Sequence, residues 1–546
     1  MEKANFKERA LYLISPEKGA RAYRERVRKE RLERQRDGLE IMEAATGYGN
    51  HGASKTLNSM VGWIVGGGAA EDDIDLQGAT LRQRARDLYA GGGLAKSGPD
   101  TLTAATVAWG IMPSPKIDGE KLGLSDEKAD QWERQTLREF RLWASSPQCD
   151  AERSKNFYAL QKLAFLSMLM SGDVFALFGM KENKRTPYQT TIRLLEADRI
   201  CSPDGYDRLA PCTVWGYEVY NIVQGVETNA EGRVVAYWVC NRHPLSDTSM
   251  LGSGLEWTRV EARGELTGRR NIVHVITRER AGQLRGVPVL APVLEALKQL
   301  GRYTEAEINA AVISAMFTVF VQPATATDDR PFGEMLPENM LIDAEDQSSV
   351  ELGNGAIVGL NPGETVSFAD PKHPNAGYDK FTEAMIKQIG AALEIPPEVI
   401  SKQFSTSYSA ARGALNEFWR SCDVQRDDFV DSFCQPIYEE WLAEAVARNR
   451  IKAPGFFQDP AIRKAYSGCA WPGPARTSLN PVQEISAATK RVEAGFSTAQ
   501  EETAQMTGGN YNRNIRQRVA EAKRKREVDE IMDPSSAASE GGNGNA

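Results

Sequence analysis

The chain has 546 residues, 26% of them charged and 41% hydrophobic, with a formal net charge of −8. That length holds several domains' worth of core in an ordinary globular composition. No run approaches the roughly 18 apolar residues of a membrane span, and the N-terminus lacks an apolar signal core. An acidic excess is also the reverse of what a protein gripping DNA by its phosphates carries. The cysteines at 149, 201, 212, 240, 422, 434 and 469 are odd in number and include no Cys-x-x-Cys pair. They read as reduced, mostly buried thiols of a cytosolic setting.

The first 40 residues include a helix rich in Arg, Lys and Glu, around 20–37. It reads as a solvated helix with internal ion pairs; the functional alternative is a docking arm. Asp72, Asp73 and Asp75 read as a solvated acidic turn, without the partner cluster a metal site needs. A helix then places Leu81, Ala85 and Leu88 on one side and Arg82 and Arg86, four residues apart, on another. These arginines either meet acidic groups of an adjoining subunit or form an ion pair within their own. Gly91-Gly92-Gly93-Leu94-Ala95-Lys96-Ser97 fails as a phosphate loop, because position 95 is Ala where Gly must precede Lys.

Helices are predicted over 126–140, with Trp132 and Phe140, and over 156–170, with Leu160, Leu163, Leu166 and Met170 inward. A turn at 171–173 leads into a buried strand over 174–178. Further strands are predicted over 191–195, 214–223, 234–240 and 272–276, with a tight hairpin at 229–232. Residues 75–287 therefore form a mixed α+β domain. The histidines at 51, 243, 274 and 373 share no metal-ligand spacing. No metal, cofactor or catalytic residue is assigned.

A long helix is predicted over 288–315, its face marked by Leu290, Val293, Leu297, Leu300, Ile308 and Val312. Pro288 suits its first turn. It would be roughly 40 Å long at 1.5 Å per residue. Residues 316–374 begin with an apolar β-type run and are then dominated by Gly, Pro and Asp. A second helix over 375–395 carries Tyr378, Phe381, Met385, Ile389 and Leu393, and stops at Pro396-Pro397. The polar stretch 396–408 reads as a flexible loop. A third helix, over about 409–449, should kink at Pro436. Helical segments follow over 481–494, 498–507 and 511–532, and the Ser, Gly, Asn and Ala of 533–546 read as disordered.

This order of elements, with its local wording, resembles the lambda-type family of portal proteins of tailed bacteriophages. The matching fragments are Leu81-Arg82-Gln83-Arg84-Ala85-Arg86-Asp87, Gly225-Val226-Glu227, Ala236-Tyr237-Trp238 with His243-Pro244, and Val273-His274. Further on come Gly282-Gln283-Leu284-Arg285-Gly286-Val287-Pro288, Pro362-Gly363-Glu364 and Ile395-Pro396-Pro397-Glu398. The last are Tyr408-Ser409-Ala410-Ala411-Arg412, Glu417-Phe418-Trp419 and Trp471-Pro472-Gly473-Pro474. Together they span about residues 75–525.

The resemblance implies a portal fold. Residues 1–74 would be an N-terminal arm and 75–287 an α+β wing. Residues 288–315 and 375–395 would form a two-helix stem around a β-rich clip, 316–374. Residues 396–408 would be a tunnel loop, 409–480 a kinked helix and wing return, 481–532 a helical crown, and 533–546 a tail. It implies a non-enzymatic, dodecameric ring at one capsid vertex that passes double-stranded DNA during packaging and ejection. Its partners would be the terminase large subunit, the major capsid protein and scaffold, and head-completion or neck proteins, with no membrane. Assembly would take place in the host cytoplasm. In the loop, Lys402, Gln403, Phe404, Ser405, Ser407 and Tyr408 would face the DNA. Arg82, Arg86, His274, Gly282, Gln283, Arg285, Gly286, Pro396, Arg412 and Trp471 would be framework residues. Without the resemblance, composition leaves open a terminase-like packaging enzyme, which the missing phosphate loop disfavours, and a scaffold or adaptor that never touches DNA.

Overall fold

The computed structural model describes residues 25, 26, 29, 67–74, 77–182, 186–204, 206, 212–214, 216–246, 254–316, 320–321, 341–342, 357–359, 377–404, 407–475 and 480–532. Of the N-terminal helix expected around 20–37, only residues 25, 26 and 29 fall among these, all helical. The tail 533–546, Asp75, His51, His373 and most of 316–374 lie outside the described residues.

One helical turn, α1 (Ala70–Asp73), precedes α2 (Gly78–Ala90) and α3 (Gly93–Thr106). Gly92 and Gly93 have φ of +83° and +61°, a region glycine enters without a Cβ penalty, and the chain turns there from α2 into α3. The glycines tested above as a phosphate loop are thus a helix junction. After the short β1 (Ser114–Pro115) come α4 (Asp126–Ala144) and α5 (Phe157–Ser171). α5 buries Phe157, Leu160, Ala164, Phe165 and Met168, whereas Leu163, expected inward, is exposed. The helix is apolar nearly all round, so spacing alone could not choose its inner face.

The strands are β2 (Asp173–Met180), β3 (Thr190–Leu195), β4 (Cys212–Val214), β5 (Tyr217–Val219), β6 (Asn221–Val223), β7 (Val226–Thr228), β8 (Val234–Cys240), β9 (Trp257–Glu261) and β10 (Ile272–Ile276). The run predicted over 214–223 is three short strands, with Gly216 at φ +86° in the first break. The hairpin at 229–232 joins β7 to β8, and Gly232 N donates to the Asn229 carbonyl.

α6 (Leu294–Met316) starts later than predicted, after a 3-10 turn at Ala291–Val293. A helix begun at Pro288 would need an N–H at position 292 to reach the carbonyl of residue 288, and Pro292 has none. Short parallel strands β11 (Phe320–Val321), β12 (Leu341–Ile342) and β13 (Ile357–Gly359) follow, with β13 central. Then come α7 (Tyr378–Ala392), α8 (Pro397–Ser401) and α9 (Tyr408–Phe429). A π turn at Val430–Cys434 joins α9 to α10 (Gln435–Ala447). Pro436 cannot donate to the carbonyl four residues earlier, and the wider turn just before it takes up that break in the ladder. The chain closes with α11 (Pro460–Tyr466), β14 (Cys469–Ala470), α12 (Pro481–Glu493), α13 (Ala499–Thr507) and α14 (Tyr511–Met532).

The chain divides into two compact units. The first comprises Met1–Thr80, Gly172–Met180 and Ile192–Val287. It holds the sheets β10-β2-β3 and β6-β7-β8-β9 and the β4-β5 pair. Phe175, Leu195, Ile200, Val226, Tyr237, Val239 and Ile272 form one core between strands. The second comprises Leu81–Ser171, Lys181–Thr191 and Pro288–Ala546. Its centre is aromatic: Phe140 meets Trp441 edge to face at 4.9 Å, and Phe157 stacks on Phe433 at 6.1 Å. The residues grouped above as one α+β domain, 75–287, are thus shared between the two units.

Candidate functional site

In the first unit, the family-type residues of 274–286 converge on a single carboxylate. Asp173 and Arg285 are both fully buried, with Arg285 Nε 2.6 Å from Asp173 Oδ2 and Nη2 3.2 Å from Oδ1. The remaining guanidinium hydrogens point at backbone: Nη1 donates to the carbonyls of Ile200 and Gln224 at 2.8 and 2.5 Å, and Nη2 to Ala197 at 2.7 Å. This planar fork ties the turn at 197–200 and the backbone at Gln224 to β2, which a lysine's single ammonium could not do. Gly286 N and His274 Nε2 add to the same Asp173 oxygen at 3.2 and 3.3 Å. Burial alone would raise the Asp173 carboxyl, but the Arg285 charge and the His274 hydrogen bond outweigh it and hold it well below the carboxylate range. For His274 burial wins over the pull of Asp173, so its pKa is lowered and the ring is neutral at pH 7.

Gln283 and the glycines shape the loop that delivers Arg285. Gln283 Oε1 accepts from Glu279 N and Arg280 N, and its amide donates to the Arg285 carbonyl at 2.8 Å. Gly282 has φ +81°. Gly172 and Gly286 pass backbone to backbone: a Cβ on Gly286 would lie 1.8 Å from the Gly172 carbonyl oxygen. No larger residue fits either position. Asp173 itself was read only as part of a turn. The one signal for it was a carboxylate opening an apolar strand, which must find a cation to stay charged there.

In the second unit, the segment between α7 and α9 is pinned at its base and bare at its tip. Glu394 has φ +56°, and Ile395 N reaches back to the Gly390 carbonyl to close α7. A Cβ on Gly390 would stand 2.6 Å from the Ile395 oxygen. Pro396 caps α8 in extended conformation and Pro397 occupies its first turn, where a missing N–H costs nothing. The expected loop over 396–408 therefore begins as a helix. Ile400 is buried and its carbonyl accepts from Ser97 Oγ of α3 at 2.8 Å. Lys402 then turns left-handed at φ +57°, and Gln403 N caps the Glu398 carbonyl. Lys402, Gln403 and Phe404 are exposed, Phe404 to 69%. Ser405 lies outside the described residues. Ser407 accepts from Ala410 N and so opens α9 at Tyr408.

The other framework candidates are scattered. Arg82 is buried on α2, and Arg86 Nη2 donates to Ser171 Oγ at 2.9 Å. Arg412 is exposed on α9. Trp471 Nε1 donates to Gln435 at 3.0 Å, with its ring against Phe140 and Tyr438. Glu444, which the sequence reading missed, accepts from Gln189 N and Thr190 N at 2.6 and 2.9 Å. In the acidic stretch, Asp73 pairs with Arg280 at 3.0 Å. Among the described residues no His, Cys, Asp and Glu cluster fits a metal ion, and no helix is long and apolar enough to cross a membrane.

The first place fixes backbone in the interior and the second presents an exposed tip, and neither brings together groups for catalysis among the described residues. A family model described as phage portal protein, lambda family, matches residues 56–426. The chain is 23% identical over 462 residues to portal protein B of Escherichia phage lambda, spanning 81% of this chain and 83% of that protein. It is 24% identical over 515 residues to the portal protein of Escherichia phage N15, spanning 90% and 92%. Chains in the neck and the virion of a native gene transfer agent particle are 14% and 13% identical, with TM-scores of 0.36 and 0.38. Each of those alignments covers 78% of this chain and 92% of the other, a likeness too distant to add to the family match. The protein is a structural, non-enzymatic α+β component of a phage virion, at the head-tail connector. It belongs to the lambda family of phage portal proteins.

Proposed function

We propose that copies of this chain close into a dodecameric ring at one capsid vertex, and that the ring is the channel for double-stranded DNA. The observation that carries the reading is the α6–α7 pair. Near its start α6 buries Leu297 and Leu300, and Tyr303 joins it to α7 through Tyr378 and Phe381. Farther along, Ile308 and Val312 are 57% and 46% exposed, as is Phe381 at 46%. Such apolar surface calls for a partner, and a head-to-tail contact between identical copies closes into a ring when the rotation allows. In this reading α6 and α7 are the stem. Residues 316–374 are the clip, where the terminase large subunit and later head-completion or neck proteins dock. The first unit belongs to the wing, facing the major capsid protein and scaffold. Assembly takes place in the host cytoplasm.

The loop tip is the channel contact. Lys402 and Gln403, with Ser405 and Ser407, offer single weak contacts to phosphates, while the chain's net charge of −8 keeps the duplex from sticking. Deleting Gln403 to Ser407 tests this assignment. Rings should still form while packaging or DNA retention fails. A deletion that packages and retains full-length DNA like the parent would remove the loop from the channel.

A further inference from the structure

The chain is acidic as a whole, at −8, yet from Arg513 to Arg526 it holds seven cations and one carboxylate, Glu521. All of them lie on α14, where every side chain from 511 to 529 except Ala520 is exposed. A helix with no face in a core stands by internal ion pairs or by a partner. The internal pairs are not made. Glu521 and Glu527 lie three or four residues from Arg518, Lys523, Arg524 and Lys525. Glu521 instead accepts from Gln517 Nε2 at 2.9 Å, and among the described residues Arg516 alone of the seven cations has an ion pair, at 3.7 Å to Asp130. The order of charge also opposes the helix dipole. The first turn holds Arg513 and no acid, the last turn holds no base, and Glu527 and Asp529 sit toward the C-terminus. A helix standing alone favours its cations at the other end, whereas an anionic partner along the N-terminal part is drawn by dipole and side chains together.

We propose that α14 is a second DNA contact, one that holds the duplex by its phosphates where the loop tip lets it slide. It rests on the channel reading and names a surface for it. The stretch 513–526 is roughly 20 Å long, over which a duplex presents about a dozen phosphates. The cations surround the helix, so a duplex lying along any side meets at least two of them. The unbroken run Lys523-Arg524-Lys525-Arg526 suits a uniform line of phosphates better than the mixed charge of a protein surface. After Tyr511 no aromatic side chain on α14 is there to stack on bases, so the contact reads no sequence.

The test is binding of the full-length chain to a short labelled duplex of mixed sequence, read by fluorescence anisotropy from about 50 to 200 mM salt. The parent should bind, more weakly as salt rises and equally when the sequence is shuffled. Lys523→Gln, Arg524→Gln, Lys525→Gln and Arg526→Gln together should cost about tenfold in affinity at the lowest salt and flatten the log–log salt slope by about 2. Glutamine keeps helix propensity, which circular dichroism checks. Arg524→Lys with Arg526→Lys keeps the charge and should bind like the parent; a loss there counts against a contact made by charge. A glutamine variant with the parent's affinity and slope overturns the proposal, as does a parent that does not bind. Tighter binding of polyglutamate than of the duplex assigns the helix to an acidic protein and also overturns it. Light scattering separates this result from the channel reading. Rings without DNA binding overturn the α14 contact and leave the ring standing, whereas binding by a parent that forms no rings supports the contact and removes the channel.

Discussion

Arg285 and Asp173 form an ion pair with no exposed surface on either side chain, 2.6 Å from nitrogen to oxygen. The pair is the point at which the loop of 282–286, the strand β2 and the carbonyls of Ala197, Ile200 and Gln224 meet. A buried pair adds little over an apolar core of the same shape, but losing one partner strands a charge. Its role is therefore to fix one arrangement of these segments.

Replacing Arg285 should therefore be costly even by lysine. Arg285→Lys keeps the charge but loses the fork that serves three carbonyls. Arg285→Ala leaves Asp173 buried and unpaired, at a cost of about 3–5 kcal/mol. Urea unfolding of the monomer should show both variants destabilised, Ala more than Lys. A lysine variant with the parent's midpoint would show that the carbonyl contacts carry no weight.

Acid should loosen the same place in two steps. The folded chain holds His274 below its ordinary value, so the unfolded chain takes up that proton first, and stability falls as pH drops through about 6.5. Asp173 is also depressed when folded, and its contribution, full above about 4, is lost as pH falls further. The urea midpoint should decline from pH 7 to pH 5, and His274→Gln should flatten that decline. An identical slope in the variant would assign the pH dependence elsewhere.

Ile308 and Val312 offer the opposite case, side chains that matter only in the assembly. Both are exposed in the single chain, so Ile308→Asp with Val312→Asp should leave monomer stability within about 0.5 kcal/mol of the parent. Ring formation should be lost, since burying each apolar side chain contributes about 1.5–3 kcal/mol to the contact. Sedimentation velocity reads both. Rings at parental yield would move the subunit interface away from this face.

Much of this was legible in the sequence. The bounds of β8, β10 and α14 are those of 234–240, 272–276 and 511–532, because short β-branched, apolar runs and a long charged helix leave strong local patterns. The late start of α6 turned on one absent N–H at Pro292, a pairing across four residues that apolar spacing does not register. β9 passed unnoticed because its polar and charged positions hide the alternation. Gln283, Arg285 and Gly286 stood out through the family wording, but their partner Asp173 lies 112 residues from Arg285, and no local pattern reports such a contact. The loop tip was found from its two prolines and polar run. That its base is a helix docked through Ile400 and Ser97 depends on residues 303 apart.

Electron microscopy of the purified full-length chain, viewed end-on, tests the central claim most directly. A closed ring of copies around an axial hole wide enough for double-stranded DNA is the predicted result. Monomers or open dimers alone, across a wide range of concentration and salt, would contradict it.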